Sequence, residues 1–385
     1  MQPLTGLRVL DLTREFPSYP TILADFGAEV IKVEEPSSGD PGRYAPPLID
    51  GESVFFLTHQ RNKKSIGLNL KSKEGLEIFY KLVKMSDIVI ENFRPGVTKR
   101  LHIDYDVVKN YNPRIIYCSI SGFGHDSPYS SMPSHDLNYQ AMSSILWLTK
   151  VDDKIALPAV NLSAMTTYLY VTIAILIALI NREKTGEGQY IDISFLDSTV
   201  SLLSLPASLT FFGFDINNLP VRKLPYYGIF KTKDERYICL GILYEEHFWK
   251  KFCKMFGRED LAKHLIPSKE KSVEIKQFLE ELFKTKSRDE WFKILRDAGI
   301  PCSPVYSIEE VFQDPHVKHR GLILEVEHLK LGKIKQLNVP IKFSSIKAKV
   351  NLPPPKLGQH TDEILHFLGY SGDEIRKLRE KNVIS

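Results

Sequence analysis

LRVLDLTREFPSYPTILADFGAEVIKVE, Leu7–Glu34, is the stretch whose reading decides the fold. Leu7–Thr13 is a short, mostly apolar run of the kind that forms a buried strand. A short helix follows near Tyr19–Phe26, and Gly27 supplies the residue that ends it. Ala28–Glu34 is the next strand. Strand, helix and strand at this spacing form a βαβ unit, which implies a parallel pair. The pattern continues outward. SKEGLEIFYKLVKMS carries Leu76, Phe79, Tyr80 and Val83 on one helical face, DIVIENF (Asp87–Phe93) is a strand, and RIIYCSISGFG (Arg114–Gly124) is another. KTGEGQYIDIS (Lys184–Ser194) is a Gly-rich turn into a further strand. The first half is therefore an α/β region, with an open, mostly parallel, Rossmann-like sheet. Where a dinucleotide fold would carry GxGxxG, this chain reads REFPSYP, which disfavours NAD or FAD.

A chain of 385 residues is too long for one ordinary core. The character changes near Leu219. LPYYGIFKTKDERYICLGIL reads as a β-hairpin with KTKDER at its tip, and EEHFWKKFCKMF and the stretch Val273–Leu295 read as amphipathic helices. IPCSPVYS (Ile300–Ser307) is a proline-punctuated connector. The expected division is a large α/β domain over 1–218, a small α+β domain over 219–325, and a return to the large domain over 326–385 with a last helix, Asp362–Leu368.

The 51 basic and 47 acidic residues leave a net charge of +4 with no dominant basic block, which argues against nucleic acid. Cys118, Cys239, Cys253 and Cys302 are scattered, as reduced intracellular thiols would be, and have no metal-ligand spacing. The N-terminal residues show no signal-peptide pattern, so a cytoplasmic location is expected. AMTTYLYVTIAILIALI (Ala164–Ile180) is near the length of a membrane span, but its threonines and its Asn181-Arg182 end favour a buried core helix.

Two His-Asp pairs invite a chemical reading. His125-Asp126 lies among Gly122, Gly124, Ser127 and Pro128, which suits a solvated turn. His135-Asp136 follows Ser134, a candidate N-cap, and precedes Leu137, Ala141, Met142, Ile145 and Leu146 at helical spacing. A helix N-terminus disfavours a second positive charge, so it favours neutral imidazole at His135, a form able to take a proton. The structural alternative is that His135 is a partly buried polar residue and Asp136 a charge complementing the helix dipole.

FGAEVIKVEEPSSGDPGR (Phe26–Arg43), NKKSIGLNLKSKEG (Asn62–Gly75), DIVIENFRPGVTKRL (Asp87–Leu101), REKTGEGQYIDIS, DPHVKHRG and GQHTDEIL together resemble the class III CoA-transferase family. Within it, HDLNYQA is similar to the α-methylacyl-CoA racemases. The resemblance implies an interlocked homodimer, a CoA thioester as substrate, and no prosthetic group or metal. It implies CoA contacts at Arg43, Lys63, Asn92, Phe93, Arg94 and Arg100, and guanidinium forks do suit phosphates. It makes His135 the base that removes the α-proton of a 2-methylacyl thioester, sets Asp136 beside it among the candidate catalytic residues, and makes Glu245, or Glu246 in the other register, a supporting group.

The match breaks at one position. The resemblance implies an aspartate at the start of the long helix, as proton carrier in racemases and as nucleophile in transferases. Counting back from Arg182, that position is Ala164, either an introduced replacement or a natural loss. Asp152 and Asp153 are the nearest carboxylates along the chain before it. Three readings follow: a racemase crippled at 164, a CoA-transferase acting through an aspartyl anhydride, or an inactive acyl-CoA-binding homologue. Apolar residues at Leu202–Phe214 and Tyr226–Tyr227 would suit an apolar acyl tail.

Overall fold

In the computed structural model, described for residues 2–15, 19–151, 154–216 and 224–385, the opening βαβ unit forms as its sequence requires. Strand β1 (Arg8–Asp11) leads through α1 (Thr21–Asp25) to β2 (Glu29–Glu34), which lies parallel beside it with Leu10 opposite Ile31. Four more strands complete the sheet: β3 (Lys63–Gly67), β4 (Ile88–Glu91), β5 (Ile116–Ser121) and β6 (Gln189–Ser194). Their order is β6-β5-β4-β1-β2-β3, parallel throughout. The order reverses between β1 and β4, and parallel sheets of this kind bind ligands in the crevice beyond the strand ends at that point.

Alternation along each strand divides the core. Leu10, Ile31, Val89 and Tyr117 face α2 (Lys73–Lys84), whose Ile78, Phe79, Leu82 and Val83 are buried. Val9, Val30, Ile88, Ile90, Ile116 and Cys118 face α4 (Leu162–Thr185) through Val171, Ile175 and Ala178. Both faces are covered, which is why the central strands read as nearly unbroken apolar runs.

The edge strand β3 escaped the periodicity because KKSIG is only partly apolar. Its outer side is capped from far along the chain: the Ser65 amide donates to His360 Nδ1 and the Gly67 amide to the Thr361 hydroxyl, and just past the strand the Asn69 amide donates to the Val383 carbonyl. Past the expected last helix, formed as α8 (Thr361–Phe367), the chain makes a further helix, α9 (Gly372–Glu380), started by a Ser371/Glu374 capping box.

The chain divides into two compact units, residues 1–203 with 320–385, and residues 204–319. The expected boundary at 218/219 lies outside the described residues. In the second unit, β7 (Tyr227–Lys231) and β8 (Tyr237–Gly241) form the expected hairpin, and the proline-punctuated connector adds a third strand, β9 (Cys302–Pro304). Helices α5 (Glu246–Met255), α6 (Lys269–Phe283) and α7 (Arg288–Asp297) complete its core around Trp249, Phe252 and Trp291. Both indoles are satisfied, Trp249 by the Leu261 carbonyl and Trp291 by the Phe283 carbonyl.

The long helix α4 departs from the fully buried helix expected. One side packs on the sheet, while Leu169, Ile173, Ile177 and Ile180 form an outward apolar stripe. By length and composition the helix could cross a membrane, but its inner side, with Val171 and Ile175 fully buried, belongs to the first unit's core.

Candidate active site

A cleft of about 1520 Å³ opens at the C-terminal ends of the parallel strands, at the switch point itself. The loop after β1 contributes Thr13 and Arg14, and the loop after β4 contributes Asn92, Phe93 and Arg94. Asn92 ties these loops together: its Oδ1 accepts from the Arg14 amide at 2.8 Å, and its Nδ2 donates to the Arg14 carbonyl at 2.9 Å. Arg94 and Arg100 line the cleft with exposed side chains, joined by Lys71 after β3 and by Arg14. This cationic rim can hold phosphates, which prefer forked guanidinium donors. Lys71 and Arg14 escaped sequence reasoning because a lone charge in a loop looks like a solvated surface residue until the fold assembles the rim.

Arg43 and Lys63, expected as CoA contacts, have other partners and do not line the cleft. Arg43 grips Glu34 with Nε and Nη2, each at 2.7 Å, and stacks over Phe56 at 3.8 Å. Lys63 is fully buried, with Nζ 2.7 Å from Asp11 Oδ2 and 2.9 Å from Gln60 Oε1. Burial works to raise the Asp11 carboxyl, but the Lys63 and Lys32 charges outweigh it and hold the group below its ordinary range. Beside them Lys32 pairs with Asp40 at 2.7 Å, both nearly inaccessible. These charges brace the β1, β2 and β3 strand ends that carry the cleft loops.

One corner of the cleft is made by α3 (Asp136–Met142) and the first turn of α4. His135, not Ser134, is the residue preceding α3; its backbone amide donates to Asn138 Oδ1 at 2.9 Å and its imidazole is exposed. Ser134 instead donates to the Tyr139 hydroxyl at 2.7 Å. Asp136 reaches across to α4, where its Oδ1 accepts from the Ala164 amide at 2.8 Å. Positions 135, 136 and 164, assembled by sequence reasoning from separate segments, therefore line one cleft together with Tyr139 and Phe195. Asp152 and Asp153 lie outside the described residues. Glu245 precedes α5 in the second unit, where its Oε2 accepts from the Leu243 amide at 2.9 Å, and Glu246 pairs with Lys250. Among the described residues no group of three His, Cys, Asp or Glu side chains is placed to hold a metal.

The other His-Asp pair is more than a solvated turn. His125 Nε2 lies 2.7 Å from Ser119 Oγ, which donates to Glu91 Oε1, and the His125 amide donates to Asp192 Oδ2. Glu91 also holds the cleft loop, accepting from the Phe93 amide at 2.8 Å. Burial pushes its carboxyl up to about 7 from an ordinary 4.5. Such a group binds its proton more tightly folded than unfolded, so its stabilising contribution is complete below about 4.5 and disappears as pH rises through about 7. The loss is on the order of 3 kcal/mol. Glu91→Gln should melt several degrees above the parent at pH 8 and close to it at pH 4; equal melting shifts at both pH values would remove the assignment.

Residues 4–361 match CoA-transferase family III. The chain belongs to CoA-transferase family III. It is 34% identical to human succinyl-CoA:glutarate CoA-transferase, over all of this chain and 90% of that protein. It is 31% identical to the formyl-CoA:oxalate CoA-transferase of Escherichia coli O6:H1, over 99% of each. A solved CAIB/BAIF family protein from Brucella suis superposes with a TM-score of 0.83 and 31% identity, covering 95% of this chain and 99% of that one. The named enzymes among these relatives are CoA-transferases, so they support the CoA-transferase alternative and give the racemase reading no support. The racemase expectation rested on the HDLNYQA motif with His135 first and on Glu245, short signals set against similarity along the whole chain.

Proposed function

We propose that this chain binds an acyl-CoA thioester in the switch-point cleft and transfers CoA between carboxylic acids. The observation that carries the reading is the cleft itself: in a family III fold, an exposed cationic rim of Arg94, Arg100 and Lys71 leads to the corner formed by His135, Asp136 and the start of α4. The rim receives the nucleotide phosphates, Phe93 and Asn92 flank the pantetheine arm, and the thioester carbonyl reaches Asp136 and position 164. The named relatives act on short acids, and the polar side chains of Ser121, Ser134, His135 and Asn161 in this cleft suit a short carboxylic acyl group. Apart from Leu202 and Leu203, the apolar candidates for a long acyl tail sit in the second unit, where Tyr226 is a buried core residue and Phe211, Phe212 and Phe214 are exposed. A cytoplasmic setting fits the four free thiols.

We further propose a second copy of the chain as the cover for the α4 stripe, as the resemblance to interlocked homodimers implies. One experiment serves both proposals: acyl-CoA titration, with sedimentation of the same sample at the mass of two chains. Arg100→Ala should weaken acyl-CoA binding by roughly 10-fold or more, as losing a charge-assisted phosphate contact does. Binding unchanged in Arg100→Ala and in Arg94→Ala would place the nucleotide elsewhere, and sedimentation as a single chain would leave the stripe without its second copy.

A further inference from the structure

We propose that Asp136 supplies the nucleophilic carboxylate that position 164 lacks. The inference rests on the CoA-transfer reading and adds a residue to it. Its basis is a contact: Asp136 Oδ1 lies 2.8 Å from the backbone nitrogen of Ala164, and both residues line the cleft, so a carboxylate stands beside the position of the missing one. Its other oxygen accepts from Gln140 Nε2 at 2.5 Å, and Gln140 is 2% exposed. Two fixed donors orient the carboxylate and leave one lone pair on each oxygen. The side chain is half-buried and lines the cleft, as an attacking group must.

The other carboxylates lining the cleft are committed elsewhere or lie on another loop. Glu34 is closed by Arg43 and Ser65, and Asp40 by Lys32. Glu35 holds the Ser37–Ser38 turn through both amides and both hydroxyls. Glu15 sits on the β1 loop, where its amide donates to Asp40.

The steps balance without redox or net proton change. A carboxylate oxygen of Asp136 attacks the donor thioester carbonyl, the C–S bond breaks, and CoA leaves as thiolate from a mixed anhydride. The thiolate attacks the Asp136 carbonyl carbon, the bond to the bridging oxygen breaks, and the donor acid leaves as carboxylate. Asp136 is then a CoA thioester. The acceptor carboxylate attacks that thioester and expels CoA thiolate, which attacks the acceptor's carbonyl in the new anhydride. The products are acceptor acyl-CoA and the original Asp136 carboxylate.

The test uses the full chain with succinyl-CoA, followed by borohydride, which reduces an aspartyl-CoA thioester to homoserine, and by peptide mass mapping. Homoserine at position 136 is expected. Asp136→Asn should abolish the label and lower transfer by about 1000-fold or more. The new side chain's carbonyl oxygen can keep the bond from the Ala164 amide, and Gln140 can turn its unpartnered Oε1 toward the new amide, so the variant should fold and bind succinyl-CoA like the parent. Absence of label at 136, a label at Glu15, or full transfer by Asp136→Asn overturns the inference. If Ala164→Asp then transfers CoA with its label at 164, the transferase reading stands without Asp136; if no variant transfers CoA or binds succinyl-CoA, that reading falls as well.

Discussion

Ala164→Asp should raise the rate of CoA transfer by about 100-fold and move the covalent label from 136 to 164. The size follows from placement, since a nucleophile displaced by about 1 Å from its best line of attack loses a factor of that order. Ala164 stands in the first turn of α4 and is 4% exposed, so the added carboxylate would project from a rigid, well-packed helix end. The positive end of the helix dipole favours a negative charge there. Acyl-CoA binding should change little, because the cationic rim is untouched. The check is single-turnover transfer from succinyl-CoA to a free acid, with the modified residue located by peptide mapping. A folded Ala164→Asp protein with neither faster transfer nor a label at 164 would mean that this position does not border the reacting carbonyl.

Lys63→Met should destabilise the chain by about 3–5 kcal/mol, the usual consequence of removing one partner from a buried ion pair. Asp11, fully buried, would lose its paired cation and keep only the Lys32 charge and the Thr13 hydrogen bonds, and Gln60 Oε1 would lose the bond from Lys63. Urea unfolding of the parent, Lys63→Met, Asp11→Asn and the double variant gives the coupling directly. The double variant should be more stable than the sum of its single losses, and the folded fraction of Lys63→Met should bind acyl-CoA like the parent. Unchanged stability with acyl-CoA binding weakened by about 10-fold or more would restore Lys63 as a CoA contact.

Much of the large unit was legible because period and spacing are strong signals. Leu7–Glu34 had the apolar strands and the glycine that a βαβ unit needs, and the remaining central strands carried the apolar runs of a two-sided sheet. β3 was not legible, since Lys63 and Lys64 break its apolar pattern for reasons of pairing that appear only when β2 lies alongside. The corner of the cleft between α3 and α4 was legible in part. Resemblance brought 135, 136 and 164 together as candidates, and the structure adds the contact between Asp136 and the Ala164 amide, which no local pattern shows. Arg43 and Lys63 look like phosphate ligands as isolated cations. Glu34 and Asp11, their buried partners, lie on neighbouring strands and could be assigned only from the folded register.

A segment from far along the chain closes the edge of β3: His360 and Thr361 pair with Ser65 and Gly67, and Val383 pairs with Asn69 just past the strand. A ribosome making this protein would therefore release a sheet whose border stays raw until those residues emerge. During that interval the bare strand is a template for another nascent copy. Ending the chain before His360 would prolong that hazard indefinitely, with the harm seen in yield and solubility before any change in the chemistry of the cleft.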